Sequence, residues 1–474
     1  NILNNEWGIY VEYSKNNTLS ENNITANEVG IRLTLSSNNV LRNNRMNNNR
    51  YNFGVSGANF VEYVNDIDTS NTVDEKPVYY LVNEQEKTAP LDAGHVVLVN
   101  CTGITVKNLN LANNAEGILL AFTNNSTITQ NTITNNGAGI ELRGSSRNNS
   151  ISGNYIANNE GNGVNLDSSE NNLLGNTITN NGNYGVLLYF SSYNTIHGNN
   201  LTANELGIYF YGSSYNNVSS NSVINNSGVG FWFFGSSHNK IIRNNITDNQ
   251  RSMYFEMQAF DNTIYHNNVV NNALQVFADT DSVNVWDNGV EGNYWSRYNG
   301  TDGDGNGIGD TPYILDENNQ DNYPLMELYT IPENPPLLPL PYAPFDLFPE
   351  PDSIDVPLDT NISISISRPP SIVNMSISPE VAVKERIDEV IFYSGRYTFI
   401  LSELLKPNTT YTVTIIFGDY GAPEGFAPTN TKTWNFTTVA EAGIVFPIVE
   451  VTLVASVIVV AFVILYYIRR KLKL

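Results

Sequence analysis

Apolar residues recur in short alternating stretches along most of the chain: Gly139-Ile140-Glu141-Leu142, Gly163-Val164-Asn165-Leu166, Gly185-Val186-Leu187-Leu188 and Gly207-Ile208-Tyr209-Phe210. Successive stretches lie 22 to 24 residues apart, and each continues through Ser- and Asn-rich turns into two triplets centred on Ile, Val or Leu, as in Gly207 to Asn226. Period-2 alternation bounded by Asn and Gly predicts three short strands per unit. One unit cannot bury its own apolar face, so the units must stack as a solenoid. Asn131, Asn154, Asn176, Asn199, Asn221, Asn244 and Asn267 occupy equivalent turn positions. Asn tolerates the left-handed conformation and its amide can bond the next coil, which predicts an asparagine ladder. The expected fold is all-β: a right-handed parallel β-helix over residues 1–285, with rungs about 4.8 Å apart.

Rungs at Gly8, Gly30 and Gly54 are followed by an interruption over 57–94, expected as a strand-bearing excursion, before repeats resume at His95. Residues 286–331 lose the repeat and hold Trp286, Trp295, Tyr298 and Tyr313, which suits a C-terminal cap. Residues 332–351 form a proline-rich linker. Alternation in Ile362 to Ile366 and Tyr411 to Ile415 predicts a small Ig-like β-sandwich over 352–438. Residues 444–468 read as a transmembrane helix, and the basic tail 469–474, with Arg469, Arg470, Lys471 and Lys473, as its cytoplasmic end. That orientation puts the bulk of the chain outside the cell. The sequence opens at Asn1 within a repeat, so an upstream segment is expected.

A net charge of −23 with only 24 Lys plus Arg argues against nucleic acid as a partner. One cysteine excludes a disulfide framework, and four His with five Met supply few soft metal ligands.

The Asn-rich coils, the segment Asp66-Ile67-Asp68-Thr69-Ser70-Asn71-Thr72-Val73 with Lys76-Pro77-Val78-Tyr79-Tyr80, and the cap Gly292-Asn293-Tyr294-Trp295-Ser296 running to Gly307-Ile308-Gly309-Asp310 resemble NosD-type β-helix proteins. These sit within a wider group of carbohydrate-binding proteins and sugar hydrolases. The tail module is similar to Ig-like domains of prokaryotic, especially archaeal, surface proteins. The resemblance implies a periplasmic factor for copper-enzyme maturation; the Ig-like module, the anchor and the scarcity of copper ligands depart from that role.

Alternation turns two columns of side chains outward on the strand that starts at each Gly. Leu187, Tyr209, Trp232, Tyr254 and Gln275 form one; Tyr189, Tyr211, Phe234, Glu256 and Phe277 form the other. Aromatic rings at regular spacing suit stacking against sugars, so Tyr189, Tyr209, Tyr211, Trp232, Phe234 and Tyr254 are the candidate glycan contacts. The stripe would otherwise pack beneath the 57–94 excursion or against a cell-envelope protein in a surface scaffold. Earlier rungs put Glu141 with Arg143 and Asn165 with Asp167 in the same columns. Glu141, Arg143, Asp167 and Glu256 are therefore the candidate catalytic groups if the chain is a polysaccharide lyase or glycoside hydrolase. Asp302, Asp304, Asn306 and Asp310 alternate with Gly as in the first half of a calcium loop, which leaves a structural Ca2+ and a metal-free turn both open. Sequons at Asn299, Asn361, Asn374, Asn408 and Asn435 suit surface glycosylation, whereas those at Asn124, Asn148, Asn217 and Asn245 are expected on the ladders. Three classes stay open: glycan-binding module, cell-surface scaffold and carbohydrate-active enzyme.

Overall fold

The computed structural model describes residues 1–332 and, in the second module, 344–349, 353–366, 372–391, 394–418 and 430–439. Most of the linker, the 444–468 segment and the 469–474 tail lie outside the described residues. Among the described residues no helix is long and apolar enough to cross a membrane. The chain divides into two compact units, 1–341 and 342–474.

Unit 1 is a parallel β-solenoid of about 13 turns. Its longer block stacks strands such as Glu116–Ala121, Ala138–Arg143, Tyr184–Tyr189, Leu206–Tyr211 and Val229–Phe234 in parallel register. Two further parallel sheets carry the triplets centred on Ile, Val or Leu. The inward residues Ile140, Val164, Val186, Ile208 and Phe231 are fully buried in one continuous core. Glycine starts most rungs of the long block because there is little room for anything larger, although Ser252 and Gln275 take its place in the last two. A Cβ on Gly139 would lie 2.3 Å from the Gly163 carbonyl oxygen and 2.6 Å from Ile156 Cγ2.

The asparagine ladder is present as expected. Asn199 accepts from both the main-chain N–H and the side-chain amide of Asn176, each at 2.9 Å, and its own amide donates to Asn221 Oδ1 (3.0 Å) and the Leu173 carbonyl (2.8 Å). The same relay runs from Asn131 to Asn267 and on to Asn293. Parallel relays run through Asn136 to Asn272 and through Asn149 to Asn284. The four internal sequons stand beside these ladders rather than on them: the ladder residues are the neighbours Asn149, Asn216 and Asn244, and Asn148 is exposed with a φ of 55°. Asn148, Asn217 and Asn245 differ by one residue from the relay, and near Asn124 the ladder position is taken by Ser126.

The 57–94 interval is not an excursion. Asp66–Ile67 and Thr72–Val73 complete a short N-terminal block whose strands Trp7–Glu12, Val29–Thr34 and Tyr51–Ser56 form their own parallel sheet. The chain then reverses at Asp74-Glu75, both at positive φ (45° and 68°), and Lys76–Val82 pairs antiparallel with Thr72–Val73. On its other edge Lys76–Val82 pairs parallel with His95–Val99 and so starts the long block. One 14-stranded sheet therefore spans both blocks, which run in opposite senses. The short block seats its core on the outer face of the long block's first rungs, so Val97, Val99, Leu119 and Ala121, outward by alternation, are buried with Ile31, Phe53 and Val55.

At the far end Trp286 and Trp295, each 1% exposed with ring centroids 5.9 Å apart, close the core as a cap. The ladders end in it: Asn284 bonds Asn319 (2.9 Å), and Asn293 and Trp295 Nε1 donate to Asp321 (2.7 and 2.8 Å). Burial pushes the Asp321 carboxyl up to about 6 against these donors.

Unit 2 packs two sheets. One runs Pro344–Phe348, Ile362–Ile366, Ser394–Leu401, Val383–Ile391; the other runs Ser353–Val356, Asn430–Thr438, Thr410–Gly418, Ile372–Ser378. Ile362, Ile364, Tyr397 and Phe399 from the first meet Tyr411, Val413, Trp434 and Phe436 from the second in one core, a β-sandwich.

Candidate functional site

The outward columns of the long block stand as the alternation places them, with one correction. Tyr209 pairs with Trp232 and Trp232 with Tyr254, but Tyr254 then pairs with Phe277, not Gln275. The last rung lacks the initial Gly, and its register follows the ladder: Leu274 lies two residues after Asn272, as Arg251 lies two after Asn249.

The rings pack on one another. Tyr189 stacks on Tyr211 (5.2 Å, 19°), Tyr211 on Phe234 (4.8 Å, 3°) and Tyr254 on Phe277 (4.7 Å, 17°). Their faces are thus largely spent on neighbouring rungs, leaving edges toward solvent. Trp232 breaks this order, lying 38° from Tyr209 and 86° from Tyr254, and its Nε1 donates to Glu256 Oε1 at 2.9 Å. No part of the 57–94 interval covers the stripe, since those residues sit at the junction of the two blocks. Glu256 belongs to the aromatic end and stands apart from the other candidate carboxylates.

Glu141, Arg143 and Asp167 are brought together. Arg143 Nε lies 3.2 Å from Glu141 and Nη1 3.5 Å from Asp167, while Asn165 Nδ2 donates to Glu141 Oε1 at 2.8 Å. Although burial opposes it, these partners hold the Arg143 guanidinium above its ordinary range. Burial pushes the Asp167 carboxyl up despite Arg143.

Of these three, Glu141 lines a cleft of about 670 Å³ between the blocks. Trp7 and Tyr10 wall it from the short block, each 43% exposed with centroids 4.8 Å apart, and Glu141, Asn162 and Asn165 line it from the long block. Beside them Arg32 Nη1 meets Glu116 Oε1 at 2.7 Å, with the Glu116 side chain only 4% exposed. The second oxygen of Glu116 has no hydrogen-bond partner. Burial pushes the Glu116 carboxyl up; Arg32 opposes this and Glu141 adds to it. Nearby, burial pushes His95 down to about 4 and Tyr63 up to about 12, so both are neutral at pH 7. A second hollow of about 510 Å³, lined by Asn48, Asn113, Asn135 and Asn158, adjoins the cleft through Tyr51 and Glu160.

Sequence reasoning missed Trp7, Tyr10, Arg32 and Glu116 because Arg32 and Glu116 are 84 residues apart and meet only after the reversal at Asp74-Glu75. One signal was present: apolar Val97, Val99, Leu119 and Ala121 at outward positions demand a cover.

The Asp/Gly loop satisfies itself. Asp302 accepts from the N–H groups of Gly305, Asn306 and Gly307, which hold its carboxyl below the usual range, and Asp310 accepts from Thr301 Oγ1 and Gly303 N–H. Asp304 accepts from Asn306. Among the described residues no group of three or more His, Cys, Asp and Glu is placed to hold a metal.

Residues 94–246 and 150–307 match the right-handed beta helix region, and residues 345–438 the bacterial Ig-like domain. The chain is thus a right-handed β-helix protein with a C-terminal Ig-like domain. Residues 1–81 match the family described as periplasmic copper-binding protein (NosD), so the chain joins a NosD-type N-terminal segment to right-handed β-helix repeats. No curated protein matches the chain. Among solved structures, a mutant of the periplasmic alginate epimerase AlgG aligns at 16% identity over 60% of this chain and 74% of that one, with a TM-score of 0.38. The Azotobacter vinelandii mannuronan C-5 epimerase AlgE6 A-module aligns at 15% over 59% and 82%, TM-score 0.36. Endopolygalacturonase I from Stereum purpureum aligns at 12% over 58% and 94%, TM-score 0.35. At these TM-scores the likenesses carry no argument about function.

Proposed function

We propose that this is an extracellular glycan-binding protein whose ligand lies in the interblock cleft and runs out along Leu187, Tyr209 and Trp232. The observation that carries this is the cleft itself, where two exposed aromatic rings stand with side-chain amides and carboxylates. Rings supply the apolar faces and side-chain amides the hydrogen bonds that a sugar needs. The column Glu141, Asn165, Leu187, Tyr209, Trp232 leads straight out of the cleft. The stacked rings beyond it act chiefly as a structural ladder, which moves the expected centre of binding from the stripe to the cleft. Attachment to the membrane through 444–468 belongs to this proposal and rests on the sequence alone. Copper maturation does not fit the donor set: His95 and Cys101 are buried, and the described residues hold no metal-ligating cluster.

The test is retention of the purified protein on immobilised polysaccharides. Trp7→Ala is expected to weaken retention about tenfold, the loss of one well-placed aromatic contact, and Trp232→Ala to weaken it less. Absence of retention on every polysaccharide would sink the proposal.

For the Asp302 to Asp310 loop the metal-free turn is the favoured alternative, since main-chain amides occupy Asp302. Melting temperature should then be the same in EGTA as in millimolar calcium. A rise with calcium would restore the ion.

A further inference from the structure

The charge of the cleft narrows the ligand. Five carboxylates, Glu28, Glu116, Glu141, Glu160 and Asp167, stand on or beside its walls against three guanidiniums, Arg32, Arg50 and Arg143. Each guanidinium is already engaged. Arg50 lies between Glu28 (2.5 Å) and Glu160 (2.6 Å), Arg32 holds Glu116, and Arg143 divides itself between Glu141 and Asp167. The charge of each guanidinium is therefore already matched before a ligand carboxylate arrives. The surplus is negative and lies where one guanidinium serves two carboxylates, Arg50 with Glu28 and Glu160 and Arg143 with Glu141 and Asp167. Glu116, matched by Arg32, lines the cleft with its second oxygen unbonded and its side chain 96% covered, where water screens it least. Glu28 and Glu160, 44% and 55% exposed, stand where a ligand group can reach them. Binding a cation here would relieve repulsion among the carboxylates, whereas a uronate would add to it.

We propose that the cleft selects glycan chains bearing protonated amino groups over uncharged chains of the same ring structure and against polyuronates. This rests on the glycan proposal above. Glu141, fixed by Asn165 and Arg143, would stand beside the bound ammonium, with Trp7 and Tyr10 against the sugar ring.

The test compares three soluble probes by calorimetry on the full protein: a glucosamine oligomer at a pH that protonates its amines, its N-acetylated counterpart, and an oligogalacturonate. The first two differ in the charged group and share the ring. The expected result is about tenfold tighter binding of the glucosamine oligomer than of the N-acetylated one, the size of one favourable charge contact, and no binding of the oligogalacturonate. Glu141→Gln and the double variant Glu28→Gln, Glu160→Gln should each reduce the preference. Asp281→Asn, at an exposed carboxylate near the cap, should leave it intact and so rule out attraction by the acidic surface at large. Equal affinity for the charged and acetylated oligomers overturns the selectivity and leaves glycan binding standing. Preference for the oligogalacturonate, or an equal effect of Asp281→Asn, also overturns it. Binding of none of these probes, with no retention on any polysaccharide, overturns both.

Discussion

Replacing Asn199 by alanine lowers the stability of the solenoid by about 3–5 kcal/mol, because it removes four buried hydrogen bonds at once and leaves a main-chain N–H without an acceptor. The Asn176 main-chain N–H loses its side-chain acceptor, and the Leu173 carbonyl loses the amide; the Asn176 amide keeps the Ile151 carbonyl, and Asn221 Oδ1 keeps the Asn199 main-chain N–H. All of these atoms lie in the interior, where Asn176, Asn199 and Asn221 are at most 1% exposed. Each unsatisfied buried group costs about 1–3 kcal/mol, while a surface asparagine would cost a few tenths. Urea denaturation of the variant beside Asn200→Ala, whose side chain is on the exposed neighbour, checks this. Equal midpoints for the two variants would show that the ladder contributes little.

The second large effect is expected at the joint between the blocks. Arg32→Met leaves Glu116 buried without its partner, a loss of about 3–5 kcal/mol at neutral pH. Its deficit should depend on pH in a defined sense. Burial and Glu141 both raise the folded-state value of Glu116, and removing Arg32 removes the largest influence that lowers it. A carboxyl raised above its unfolded value favours the folded state below the unfolded value, about 4.3, and that advantage is lost as pH rises through the folded value. The variant should therefore lie closer to wild type at pH 5 than at pH 8. Melting curves at the two pH values test this, and Arg32→Met combined with Glu116→Leu should recover most of the loss. A deficit that is the same at both pH values would mean that Glu116 is not the stranded group. Arg32 reaches its partner across Gly54, where a Cβ would lie 2.3 Å from Arg32 Nη1 and 2.4 Å from the Ala115 Cβ. The absence of a side chain at one position thus opens the path for an ion pair between two others.

The solenoid was legible because each coil writes its own bonds into the chain: Asn199 must sit 22 or 23 residues from Asn176 and Asn221 for the relay to close. The same regularity placed Glu141, Arg143 and Asp167 side by side. Counting from glycine misplaces Phe277, whereas the ladder asparagine keeps the count when the glycine is gone. The cleft was not legible, since it depends on how one block lies on another. Periodicity fixes contacts between adjacent coils; it is silent on a reversal made by two residues, Asp74 and Glu75, at positive φ. The aromatic columns were found by position, but whether a ring offers its face or its edge is decided by the tilt between neighbours, such as 3° for Tyr211 and Phe234.

Because the cleft is fixed at the reversal and the cap at Trp286, the coils between them act as a ruler. Every coil added or deleted there changes the distance from cleft to cap by about 4.8 Å while leaving Trp7, Arg32 and Glu141 where they are. Length of footprint and chemistry of the end-piece can therefore vary separately, one by coil number and the other by substitution.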